Sequence, residues 1–156
     1  MKNDKVFHTL VKLLEENLKE ESAVVFDIDG TIIEDKYYSP SNIKQLVLPI
    51  YLFYKYCMEK NIPIFIITAR PPDNGNDLAT IRMLDKMDLD MNRIYFCRRG
   101  IDPMISKLDC RNDIRLLGYH LTLTIGDNLC DIDSQEGVGI LVKKIDNDNV
   151  DIKIML

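Results

Sequence analysis

A chain of 156 residues, 46% hydrophobic and 29% charged, has the size and composition of one globular domain, which excludes a disordered or fibrous protein. With 20 Lys and Arg against 25 Asp and Glu the net charge is −5, so no overall positive field draws the chain to nucleic acid or anionic lipid, although a local basic patch is compatible with that total. Cys57, Cys97, Cys110 and Cys130 form no C-x-x-C pair, which sets aside a zinc-finger spacing and a disulfide scaffold and predicts reduced, buried thiols.

From the N-terminus, Phe7, Leu10, Val11, Leu14 and Leu18 recur at spacings of three and four, predicting an amphipathic helix within residues 1–21 that packs on the domain. Glu15, Glu16, Glu20 and Glu21 interrupt the apolar residues before a signal-peptide core or a membrane span can form, so a cytoplasmic protein with no membrane partner is expected. Next come a short β-branched and aromatic strand at 23–26, a helix over 40–60 and a continuously apolar strand at 62–67. A helix around 78–87, a strand at 93–97, a helix opened by Lys107 and running to Leu117, and strands at 121–125 and 138–142 follow. The tail 146–156 alternates Val150, Ile152 and Ile154 with Asp151 and Lys153, which suits an edge strand or a swapped strand; a homo-oligomer therefore stays open. Strand and helix in alternation, with strands apolar on both faces, predict a single α/β domain over 1–156. Its expected architecture is three-layered and Rossmann-like, a five-stranded mostly parallel sheet with helices on both faces.

Chemistry-bearing residues stand at the ends of these strands. Asp27 and Asp29 are separated by two positions at the end of the first strand, so both project beyond its C-terminal edge, where open parallel sheets hold their ligands. Two carboxylates so close repel unless a cation or a shared proton relieves them. The second strand ends in Thr68-Ala69-Arg70, a hydroxyl and a guanidinium suited to phosphate oxygens. Lys107 offers an ammonium at the same rim, and the strand at 121–125 runs into Gly126-Asp127, with Asp131 one helical turn further on. Each residue alone has a bland role, Thr68 as a helix cap, Lys107 as a solvated lysine, Asp127 as a turn residue; their order at successive strand ends does not.

The set Asp27-x-Asp29-Gly-Thr31, then Thr68, Lys107 and Gly126-Asp127-x-x-x-Asp131 resembles the four-motif signature of haloacid dehalogenase superfamily phosphatases. In the second half, Lys107, Arg111, Gly118-Tyr119 and Gly126-Asp127 are spaced as in the class B and vegetative-storage type acid phosphatases of that superfamily, while Ala69 and Asn128-Leu129-Cys130 depart from their pattern. The resemblance implies a magnesium-dependent phosphomonoesterase. Asp27 would be its nucleophile, Asp29 its general acid and base, and Thr68 and Lys107 the holders of the transferring phosphoryl oxygens. Magnesium would lie among Asp27, the Asp29 main-chain carbonyl, Asp127 and Asp131, an all-oxygen set suited to a hard cation.

The intervals after Thr31 and after Thr68 are too short for a cap domain, so an open site is expected. Arg70 with Arg98 and Arg99 forms a candidate anion patch, and Tyr37 and Tyr38 could stack on a base. A phosphorylated small molecule or nucleotide is the expected substrate. The alternatives are the same chemistry on a polynucleotide end or phosphoprotein, and a non-catalytic module resembling a response-regulator receiver.

Overall fold

The segment SAVVF is apolar on both faces of its pleat and forms β1 (Ser22–Phe26) near the middle of a six-stranded sheet. The structure, a computed structural model, describes residues 2–34, 46–144 and 149–156. The other strands are β2 (Ile64–Thr68), β3 (Arg93–Phe96), β4 (His120–Gly126), β5 (Val138–Lys144) and β6 (Val150–Met155), in the spatial order β3-β2-β1-β4-β5-β6. All neighbours are parallel except β5 and β6, which run antiparallel. The strand count corrects the expected five to six: the tail supplies a true edge strand, with Ile140 opposite Ile154 and Val142 opposite Ile152.

Helices α1 (Lys2–Asn17), α2 (Leu48–Glu59), α3 (Asn76–Lys86) and α4 (Pro103–Leu116) cover the sheet. The chain steps from β1 through α2 to β2 and through α3 to β3 in one direction, then returns through α4 to β4; right-handed crossovers therefore put α2 and α3 on one face and α4 on the other. The core divides accordingly. Val24, Phe26, Ile64 and Ile66 pack with Leu10, Phe53 and Leu84 from α1, α2 and α3. Ala23, Val25, Phe65 and Ile67 pack with Ile114 of α4. A register shift in the β1–β4 ladder, where Ala23 faces Leu121 and Val24 faces Leu123, leaves Thr122 as an extra residue; the bulge puts Leu121 and Leu123 on opposite faces.

Two element boundaries differ from expectation. The helix expected over 40–60 starts at Leu48, because Leu46 bridges Ile33, the Val47 N–H donates to the Ile32 carbonyl, and Pro49 sits in the first turn, where its missing N–H costs nothing. Residues 40–45, like Tyr37 and Tyr38, lie outside the described residues. Lys107 does not open α4: Asp102 caps that helix by accepting from the Met104 N–H at 2.9 Å, Pro103 follows, and Lys107 comes a turn later. No described helix is long and apolar enough to cross a membrane.

Candidate active site

The sheet order puts the ends of β1 and β4 side by side on opposite sides of the chain reversal, the place where a parallel sheet opens a crevice. A cavity of about 530 Å³ lies there, walled by Asp27, Asp29 and Arg70 on one side and by Lys107, Asp127 and Asp131 on the other. Met104, half exposed, stands at its mouth.

Asp27 leaves β1 with its N–H donated to the Ile125 carbonyl of β4 at 3.0 Å, and its carboxylate is buried. Lys107, also buried, donates from Nζ to Asp27 Oδ1 at 3.1 Å and to Asp131 Oδ1. One ammonium thus joins two carboxylates carried by different strand ends. Burial, then the nearby Asp131 charge, pushes the Asp27 carboxyl well above its ordinary range, with Lys107 opposing. Burial alone would lower the Lys107 ammonium, but Asp27 and Asp131 outweigh it and hold the lysine above its ordinary value. Lys107 is therefore a fixed positive charge.

Gly126 closes β4 into a 3-10 turn (Leu129–Asp131) that brings Asp131 back over the strand end. Asn128 caps the turn: its Oδ1 accepts from the Cys130 N–H at 3.3 Å, and its own N–H donates to Asp131 Oδ2 at 3.1 Å. Two glycines make room. Gly30 has φ +76°, and a Cβ there would overlap the Asp127 carboxylate; a Cβ on Gly126 would overlap Asp131. Asp27, Asp127 and Asp131 each offer an oxygen, all within 4.8 Å of one another. Three carboxylates converging in oxygen-only fashion fit a hard divalent cation. Burial, then the Asp131 charge, raises the Cys130 thiol to about 11, so it stays protonated and its role is packing.

Asp29 goes elsewhere. Arg70 donates from Nε to Asp29 Oδ2 at 2.8 Å and from Nη2 to Oδ1 at 2.7 Å, a two-pronged fork, and its Nη1 reaches Thr80 Oγ1 on α3 at 3.2 Å. Thr68, nearly inaccessible, accepts the Arg70 N–H at 3.1 Å and keeps its own O–H as a donor. Arg98 and Arg99 are exposed and do not line the cavity; Arg99 lies 2.8 Å from Asp73.

Sequence inspection passed over one further group. Asp133, whose side chain is fully buried, accepts from Arg111 Nε at 3.3 Å and Arg115 Nη1 at 2.9 Å, while Arg111 Nη1 donates to the Cys130 carbonyl at 2.7 Å. Helix α4 thus fixes the acidic turn from behind. The spacing of Lys107 and Arg111, one helical turn apart, was the available signal for it.

No protein-family model matches the chain, and no curated protein matches it. Solved structures do. Two structures of a Pnkp1/Rnl/Hen1 complex, one described as an RNA repair complex, each match with TM-score 0.57 at 18% and 20% identity, over 69% and 70% of this chain. The chain spans 39% and 37% of the length of those two. A D,D-heptose 1,7-bisphosphate phosphatase from B. bronchiseptica, complexed with magnesium and phosphate, matches with TM-score 0.52 at 17% identity, over 71% of this chain and 73% of that one. With a parallel sheet reversed between β3 and β4 and two acidic motifs meeting at the reversal, this chain has the haloacid dehalogenase-like fold.

Proposed function

We propose that this chain is a divalent-cation-dependent phosphomonoester hydrolase that works through a phosphorylated Asp27. The observation that carries the proposal is the buried Lys107 ammonium joining Asp27 to Asp131, with Asp127 completing a group of three carboxylates in the walls of one cavity. Asp27, Asp127, Asp131 and the main-chain carbonyl of Asp29 would hold magnesium. The cation, when bound, neutralises carboxylate and phosphoryl charge and lets a phosphate dianion approach an acidic pocket.

Asp27 attacks phosphorus through a carboxylate oxygen, forming an acyl–phosphate bond as the bond to the leaving oxygen breaks. Asp29 gives that oxygen a proton. Water then attacks phosphorus and gives a proton to the Asp29 carboxylate as the bond to Asp27 breaks, which releases inorganic phosphate and restores the Asp27 carboxylate and the protonated Asp29. Lys107 and the Thr68 O–H hold the phosphoryl oxygens in place during both displacements, where fixed positive charge and hydrogen-bond donors stabilise the transition state most. A receiver module has no use for a second carboxylate gripped beside its phosphoacceptor, so the fork on Asp29 favours an enzyme.

The substrate we propose is a small phosphomonoester or nucleotide, taken into the open cavity. The same chemistry on a phosphorylated polynucleotide end is the second reading, favoured by the exposed Arg98 and Arg99 after β3 and by the fold shared with the chains of the RNA repair complex. The test is a screen of the purified chain with magnesium against small phosphomonoesters, nucleotides and 3′- or 5′-phosphorylated oligonucleotides, beside Asp27→Asn. Release of phosphate by the wild type alone supports the proposal. A folded, magnesium-binding wild type that releases none from any of them contradicts it.

A further inference from the structure

We propose that Arg70 is the positioning residue for Asp29, a bracket anchored in α3 that fixes the proton donor rather than a ligand for substrate phosphate; this rests on the phosphatase reading above. Both prongs of its guanidinium are spent on the two oxygens of Asp29, at 2.8 and 2.7 Å. The remaining nitrogen points away from the cavity, to the fully buried Thr80 hydroxyl at 3.2 Å and to Met83 Sδ at 3.8 Å. Its own backbone N–H is held by Thr68. An arginine tied at the main chain, at Nη1 and along its fork has few directions left in which to move.

The bracket corrects a weakness of the site. Asp29 sits in a turn built around Gly30, with its side chain about a third exposed, and among the described residues Arg70 is the side chain that orients its carboxylate. A proton donor must point at the leaving oxygen, and misplacement by about 1 Å can cost on the order of 10²-fold in rate. A planar guanidinium fixes a carboxylate in orientation as well as distance, which a lysine cannot do.

Two substrates separate this role from the others. p-Nitrophenolate departs without a proton, whereas the alkoxide of glycerol 2-phosphate needs one. Arg70→Ala is expected to lower kcat/KM, which reports the first displacement alone, by roughly 10–100-fold on glycerol 2-phosphate and only a few-fold on p-nitrophenyl phosphate. Arg70→Lys recovers part of the loss, and Thr80→Val, which frees Nη1 but leaves the fork, shows the same selectivity at smaller size. Parallel losses of kcat/KM on both substrates overturn the proposal. Asp29→Ala is the control: if it shows no preference for the activated ester, the acid assignment of Asp29 fails whatever Arg70 does. Should Arg70→Ala melt before assay temperature, Arg70→Lys and Thr80→Val carry the comparison.

Discussion

The Asp127 carboxylate fills the space that a side chain on residue 30 would need: a Cβ on Gly30 would overlap Asp127 Oδ2, and Gly30 holds φ at +76°. The turn after β1 and the acid after β4, nearly a hundred positions apart in the chain, are thus fitted to each other.

Gly30→Ala tests that fit. The substitution costs about 1–3 kcal/mol for a non-glycine residue in the left-handed region and also displaces Asp127. The folded variant is expected to bind magnesium at least ~10-fold more weakly by calorimetry, in line with what loss of a supporting contact does to a metal site. Unchanged magnesium affinity in a folded variant would remove Asp127 from the cation set.

Asp27 makes the metal-free protein sensitive to pH. Burial and the Asp131 charge raise its carboxyl in the folded chain above the unfolded value, so its contribution to stability is full at low pH and is lost as pH rises through the raised value. Asp27→Asn is expected to flatten this slope and to melt roughly 2–4 °C higher than the metal-free wild type at pH 8, an effect of about 1 kcal/mol. Magnesium reverses the order, since only the wild type keeps all three carboxylates. A metal-free Asp27→Asn variant that melts lower at pH 8 would show that the lysine ion pair outweighs the burial.

Behind the acidic turn, Asp133 pairs with Arg111 and Arg115 and accepts the N–H groups of Gln135 and Glu136 at 3.3 and 3.1 Å. Asp133→Ala strands buried positive charge and is expected to cost about 3–5 kcal/mol by urea denaturation. Arg111→Met removes the donor to the Cys130 carbonyl, and in any folded fraction is expected to weaken magnesium binding by roughly 10–100-fold. Full stability in Asp133→Ala would mean that the network does not hold the turn.

How far the sequence revealed this arrangement depended on whether a feature was local. Strand and helix alternation, the continuous apolar runs and the acids at strand ends are each written within a few residues, and they led to the sheet, its central β1 and the carboxylates that meet beyond it. The start of α4 differs from the expected Lys107 because the helix signal is Asp102-Pro103, a cap and a first-turn proline, and lies a turn before the lysine that bears the chemistry. The pairing of Arg70 with Asp29 lies 41 positions apart in sequence, and Asp133 lies inside a loop with no periodicity; neither has a local signature. Arg98 and Arg99 shared a strand end with the site but not its cavity.

Lys107 carries a prediction about rate. Lys107→Met leaves Asp27 and Asp131 buried together without their ammonium and removes a phosphoryl-oxygen donor, so kcat is expected to fall by roughly 10²–10³-fold. Lys107→Arg is expected to rescue little, since a planar fork does not fit a buried site shaped around one nitrogen. Near-wild-type turnover in either variant would remove Lys107 from the reacting centre.

The central claim is that Asp27 takes the phosphoryl group. Mixing the wild type with magnesium and p-nitrophenyl phosphate, quenching in acid and mapping the modified peptide by mass spectrometry should locate an added phosphoryl group on Asp27, together with magnesium-dependent phosphate release that Asp27→Asn lacks. Hydrolysis that persists in Asp27→Asn, or a phosphoryl group trapped on another residue, would contradict it.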